Sequence, residues 1–265
     1  MLSDLEVEGS LKAVLRTREN KWESLPFLKT QRLSLSTQGS SLRTFMTNRE
    51  AIAHWGIYAI TDRGMTSDRT HTEIGERLIE GGVRVIQVRD KTTPFEDLLE
   101  DTRRLVALAR PRGVSILVND NPYLAREADA DGVHLGQTDC PVAIARDILG
   151  PGRLIGLSTH TRDQALRAQD MDADYIGFGP IFHTDTKRQF YLPLGLAAMR
   201  WAAATLRVPF VAIGGITAET IADVLAAGAR HCAMVSALMK VGDIAATAQR
   251  FVRLCNQMWQ EDDLE

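Results

Sequence analysis

The chain has 265 residues, 45% of them hydrophobic and 25% charged, and a formal net charge of −3. That length suits one α/β barrel or two smaller domains, and that charge gives no grounds for bulk nucleic-acid binding. Cys140, Cys232 and Cys255 form neither a disulfide framework nor a zinc pattern, which points to a reducing cytoplasm; no apolar run approaches the roughly 20 residues of a membrane span, and no signal-peptide core is visible.

Residues 1–50 read as an N-terminal extension. "LKTQRLSLSTQGSSLRTFMTNRE" is rich in Ser, Thr and charge and is expected to be poorly ordered, whereas "SDLEVEGSLKAVLRTRENKW" is expected to be partly helical. Met46 stands just before the regular part begins, so a start at that codon is an alternative reading of the first 45 residues. Residues 51–260 are expected to form one catalytic barrel.

Eight short apolar runs follow in order: 57–60, 83–88, 114–118, 132–135, 154–157, 175–178, 210–213 and 232–235. Amphipathic stretches such as 96–110 and 219–228 separate them, the second ending in Gly228, where a glycine commonly terminates a helix. Alternating strand and helix signals argue for a parallel sheet covered by helices, and eight units argue for a (β/α)8 TIM barrel. A doubly wound open sheet is the alternative, but its usual GxGxxG after the first strand is absent from "AITDRGM".

In such a barrel the site lies at the carboxyl ends of the strands. Thr61 and Asp62 end the first. Gln87, Arg89 and Lys91 follow at alternate positions on the second, and so face one way. Asn119 and Asp120 end the third; the fourth holds His134, with Gln137 and Asp139 beyond; Ser158 to Thr161 follow the fifth. The sixth runs into Thr184, Thr186 and Lys187, the seventh into Gly214 and Gly215, the eighth into Val235 and Ser236.

Arg89 and Lys91 need an anionic partner, because burying an unpaired cation is costly. Internal carboxylates would serve, but Lys187 adds a third cation to the rim. "AIGGIT" and "VSAL" look like the two loops of a barrel phosphate cup, with Gly214 and Gly215 letting the backbone approach closely; a tight turn is the plainer account of the glycines. Asp120 and Asp139, on neighbouring strands, suit Mg2+, although singly they would read as helix caps, Asp120 especially. Together these groups describe a diphosphate near strands 2, 3, 4 and 6 and a monophosphate near strands 6, 7 and 8. That pattern suits group transfer with diphosphate leaving. His134 and His160 read as satisfied core histidines more readily than as catalytic ones.

The motifs "IYAITD", "QVRDK", "VNDNPYLA", "DGVHLGQTD", "IGLSTHT", "DYIGFGPIFHTDTK", "AIGGI" and "VSAL" resemble those of thiamine-phosphate synthases, over about residues 56–257. The resemblance implies an Mg2+-dependent transferase that joins hydroxymethylpyrimidine diphosphate to a thiazole phosphate, giving thiamine phosphate and diphosphate. It implies that Gln87, Arg89, Lys91, Asn119, Ser158 and Lys187 contact the pyrimidine diphosphate, with Arg89, Lys91 and Lys187 the catalytic cations. It places Mg2+ on Asp120 and Asp139, and the thiazole phosphate on Thr184, Thr186, Gly215, Val235 and Ser236. The family's Arg-Glu-Lys triplet is here Arg89-Asp90-Lys91, a shortening expected to cost little because Asp90 faces the other way. "RQFYLPLGL" after Lys187 is less typical. Small-molecule substrates, no nucleic acid, no membrane and a homo-oligomer are the expected associations. Two rival readings are a thiazole tautomerase-like relative and a non-catalytic sensor of thiamine phosphate; neither would release diphosphate.

Overall fold

The computed structural model of the protein describes residues 48–66, 69–186 and 191–262. The expected extension up to residue 47, and Lys187, lie outside the described residues. Eight strands, β1 (Ile57–Ile60), β2 (Val85–Val88), β3 (Ser115–Asn119), β4 (Gly132–Leu135), β5 (Leu154–Thr159), β6 (Tyr175–Phe178), β7 (Phe210–Ile213) and β8 (Cys232–Met234), each pair in parallel with the next. β8 pairs with β1 and closes the barrel. The expected (β/α)8 fold is the observed one.

Ten α-helices are described: α1 (Asn48–Ala53), α2 (His71–Glu80), α3 (Phe95–Ala109), α4 (Pro122–Glu127), α5 (Val142–Leu149), α6 (Arg162–Ala168), α7 (Gly195–Thr205), α8 (Ile221–Ala226), α9 (Ser236–Met239) and α10 (Ile244–Asp262). Their starts have local causes. Thr70 and Glu73 form a reciprocal capping box at α2, and Thr161 caps α6 through the Gln164 N–H. α3 buries Leu99, Thr102, Leu105, Val106 and Ala109, the one-sided stripe of a helix laid on a sheet. Gly228, two residues beyond α8, has φ +97, a left-handed conformation that glycine adopts without penalty.

The barrel interior is filled from several strands at once. Tyr58, Ile60, Val85, Leu117, Leu154, Tyr175, Val211 and Ala233 pack as one cluster, and Ile52 of α1 and Trp55 close it from the amino-terminal side. Strand side chains alternate between faces. Two residues on from Val85 and Leu117 stand Gln87 and Asn119, so both face the interior nearer the carboxyl mouth. Register carries His134 level with Asn119 and with Gly156. The apolar lower layers thus hold up a polar upper one.

Candidate active site

The upper layer is a chain of hydrogen bonds between five strands. Gln87 Nε2 donates to Tyr58 Oη at 2.8 Å. The two tyrosine hydroxyls are 2.8 Å apart. Tyr175 Oη lies 2.9 Å from His134 Nδ1, and His134 Nε2 lies 2.8 Å from Ser158 Oγ. One proton per link satisfies this chain with a neutral imidazole. Burial pushes both tyrosine pKa values up, for Tyr58 against the pull of its bonds to Tyr175 and Gln87, so both phenols stay neutral. His134 is therefore satisfied, as its plainer reading held, but it also lines the site.

Two cavities open above this floor. The deeper is a slot of about 110 Å³ whose walls include Ile60, Gln87, His134, Ser158, Thr184, Ile213, Gly215, Val235 and Ser236. The wider, about 630 Å³, is lined by charge: Asp62, Arg63, Arg89, Lys91, Asp120 and Asp139. Arg89, Asn119 and Thr186 line both, so the two spaces meet at those side chains. Every described residue expected to contact substrate or metal lines one cavity or the other.

The local reasons differ from the sequence reading in several places. β2 ends at Val88, so strand alternation does not carry to Lys91. Lys91 sits in a turn built on Asp90, whose Oδ1 accepts the backbone N–H groups of Thr92 at 2.8 Å and Thr93 at 2.9 Å. The sequence reading gave Asp90 no role beyond that of a shortened side chain facing the other way. Burial opposes its ionisation, but the hydrogen bonds from Thr93, Thr92 and His71 hold its carboxyl well below the usual range. Arg89 does have an internal partner: its Nη1 pairs with Asp62 Oδ2 at 2.6 Å, both side chains partly exposed. That engages one nitrogen of a guanidinium with five N–H donors. Asp62 and Arg63 belong to the site, and sequence reasoning assigned them no role. Their position at a strand end was the available signal. Arg63 Nη1 also donates to Thr93 Oγ1 at 3.1 Å, stitching the first loop to the second.

Asp120 is not a helix cap. Asn121 caps α4, accepting from Tyr123 N and Leu124 N. Asp120 instead has φ +66, a left-handed conformation uncommon outside glycine, and its N–H bonds to His134 O at 2.8 Å. Asp139 Oδ2 accepts from Gly136 N at 2.7 Å, closing the turn after β4 rather than capping α5. Among the described residues no three His, Cys, Asp or Glu side chains gather to hold a metal ion. A divalent ion here would have two carboxylates and complete its shell with water or ligand oxygens. That donor set fits Mg2+ and not a structural zinc.

Gly214 and Gly215 have φ +101 and +64. A Cβ on Gly214 would lie 2.4 Å from Pro180 Cβ, and one on Gly215 2.4 Å from His183 O. The close approach they permit is to the loop after β6, so their identity is explained by packing of the two loops. His160 is a wall residue, not core. Its ring stacks on Tyr191 at 3.7 Å, and its Nδ1 is 2.7 Å from Gly179 O.

Comparison with known proteins gives this site a lineage. The family profile described as thiamine monophosphate synthase matches residues 57–238. The chain belongs to that family. A thiamine-phosphate synthase of Chloroflexus aurantiacus is 42% identical over 203 residues, covering 76% of this chain and 94% of the relative. One from Shouchella clausii is 41% identical over 193 residues, covering 73% and 92%. The solved thiamine phosphate pyrophosphorylase of Pyrococcus furiosus superposes with a TM-score of 0.72 at 31% identity, covering 78% of this chain and 98% of that one. The matched span of the thiamine monophosphate synthase family runs from β1 to α9 and so includes all eight strand ends. No helix among the described residues is long and apolar enough to cross a membrane.

Proposed function

We propose that the chain joins hydroxymethylpyrimidine diphosphate to a thiazole phosphate, releasing diphosphate and forming thiamine phosphate, with Mg2+ as cofactor. The observation that carries this reading is the seam between the two cavities at Arg89, Asn119 and Thr186. A substrate with an aromatic ring and an anionic tail fits across it, ring in the slot and tail among the charges. Gln87 and Ser158 face the ring from the floor. Arg89 and Lys91 face the diphosphate, and Lys187 is assigned to it by the family resemblance alone. Asp120 and Asp139 hold Mg2+, and Thr184, Thr186, Gly215, Val235 and Ser236 receive the thiazole phosphate.

In this reading the C–O bond to diphosphate breaks first, and both its electrons leave with the diphosphate. Arg89, Lys91 and Lys187 stabilise the charge that grows there. Bound Mg2+ supplies Lewis acidity to the same leaving group. The pyrimidine methyl cation left behind is delocalised by its 4-amino group, while Gln87, held by Tyr58, keeps the ring oriented. The thiazole nitrogen then forms the new C–N bond with its lone pair. No nucleophilic side chain is required, so catalysis rests on placement and charge.

The test is direct. The full chain, mixed with both substrates and Mg2+, should release diphosphate only when all three are present, and chelation should stop it. A tautomerase or a sensor would release none, and that result would overturn the reading. The three free cysteines support a reducing cytoplasm as the working compartment. Self-association of the barrel is part of the same proposal and is read from its mass in solution.

A further inference from the structure

One buried side chain outside the cavities ties the end of β1 to the loop after β2 that carries Arg89 and Lys91. His71 is the first residue of α2, and its ring is wholly shielded from solvent. Its Nδ1 lies 2.7 Å from Thr61 Oγ1, just beyond β1, and its Nε2 lies 3.2 Å from Asp90 Oδ2. Thr61 Oγ1 in turn accepts the backbone N–H of Arg89 at 3.3 Å. The base of this bridge is firm. The His71 N–H donates to Asp101 Oδ2 at 2.7 Å, and the Thr72 hydroxyl donates to Asp101 Oδ1 at 2.6 Å, pinning the start of α2 to α3.

The proton placement is determined by the partners. An ionised Asp90 accepts only, so Nε2 carries the proton that bonds it. Burial lowers the imidazole's own pKa, against the pull of Asp90, so the ring is neutral and Nδ1 accepts from the Thr61 hydroxyl. With the Thr61 hydroxyl hydrogen on its shorter contact, His71 Nδ1 at 2.7 Å rather than Gln87 O at 3.3 Å, the bonds run one way: Arg89 N–H to Thr61, Thr61 O–H to His71, His71 N–H to Asp90. Arg89 is held at one end through its backbone. Lys91 is held at the other, inside the turn that Asp90 organises through Thr92 and Thr93.

We propose that His71 is a positioning residue for this turn: its imidazole sets the shape in which Arg89 and Lys91 together meet a diphosphate. This rests on the diphosphate site proposed above. It predicts a defect confined to that site. Among the described residues, the thiazole-phosphate side, built on the loops after β6, β7 and β8, has no hydrogen bond to His71.

The experiment uses the full chain and two probes: calorimetric binding of inorganic pyrophosphate with Mg2+, and the KM of each substrate. In His71→Asn the amide stays near Thr61 but is too short for Asp90. Pyrophosphate affinity should fall, and the KM for the pyrimidine diphosphate rise, by on the order of tenfold, the scale for losing a hydrogen bond to a charged group. The KM for the thiazole phosphate should not change. His71→Gln sets an amide N–H near the place of Nε2 and should restore both quantities to within about threefold of wild type. Unchanged pyrophosphate affinity in His71→Asn, or an equal rise in both KM values, overturns the proposal. Should His71→Asn fail to fold, Thr61→Val breaks the same chain at its other end with an isosteric side chain. It must weaken pyrophosphate binding similarly, and wild-type affinity there overturns the proposal too. A wild-type chain that binds pyrophosphate but turns over nothing overturns the synthase reading alone, since the His71 comparison is still read on pyrophosphate.

Discussion

Alanine at Gly156 would put a methyl group into the polar floor of the barrel. Its Cβ would stand 2.1 Å from Cζ and 2.4 Å from Oη of Tyr175, and 2.5 Å from Nδ1 of His134. Those atoms belong to rings that meet in one hydrogen bond, and Tyr175 is fully buried, so it cannot swing outward. Two costs combine. Overpacking a well-filled interior costs about 1–3 kcal/mol. Parting Tyr175 from His134 leaves buried polar groups short of a partner, which adds about 1–3 kcal/mol. A total near the middle of those ranges is about 4 kcal/mol, and at about 2–4 °C per kcal/mol for a chain of this size the melting midpoint should drop by ~10 °C. The assay is thermal unfolding followed by circular dichroism. Gly152→Ala is the control, because a Cβ there meets nothing within 4 Å. A Gly156→Ala protein that melts within about 2 °C of wild type would refute the packing and hydrogen-bond account of the floor.

Other perturbations test the remaining claims. Arg89→Ala should lower the rate of diphosphate release by on the order of 100-fold or more, and Arg89→Lys should recover little of it, since an ammonium does not reproduce the guanidinium fork. Lys187→Ala should lower turnover strongly while leaving the melting midpoint in place; wild-type turnover would remove its assigned role. Gly215→Ala would press a Cβ to 2.4 Å from His183 O at φ +64. Steady-state kinetics should then show a raised KM for the thiazole phosphate and a smaller change for the pyrimidine diphosphate. His231 is buried beside Trp55 and Trp259, and burial, with help from Arg230, lowers its pKa to about 4. Between that value and the unfolded histidine's, about 6.5, the unfolded chain binds the extra proton, so stability rises with pH across this window. The contribution is complete above the upper limit and lost as pH falls toward the lower, by about 3 kcal/mol in all. Melting curves from pH 7 to pH 4 should show this slope, and His231→Gln should flatten it.

Much of the barrel is written locally. Each strand is a short apolar run that breaks into polar residues, and that break marks both the end of the strand and the rim of the site. For this reason Gln87, Asn119, Ser158, Asp120 and Asp139 could be named from residue types and order. Strand limits were read one or two residues off in four strands: Val83 is buried but β2 begins at Val85, while β5 runs on to Thr159 because polar Ser158 and Thr159 still pair with β6. The alternation of Gln87, Arg89 and Lys91 was legible as a pattern, but it holds only as far as the strand does.

What remained hidden were the bonds between residues distant in the chain. Tyr58 and Tyr175 are 117 positions apart and meet only because β1 and β6 face across a closed barrel. Asp62 becomes the partner of Arg89, and His71 the support of Asp90, once β1 and β2 lie side by side. The order of the amino acids determines which segments form strands and helices, and which strand ends carry charge, because burial and backbone preference act over a few residues at a time. Which charges pair, and which hydroxyl faces which ring, is decided only by tertiary structure: a hydrogen bond requires about 3 Å and a direction, and no sequence spacing encodes either across a barrel.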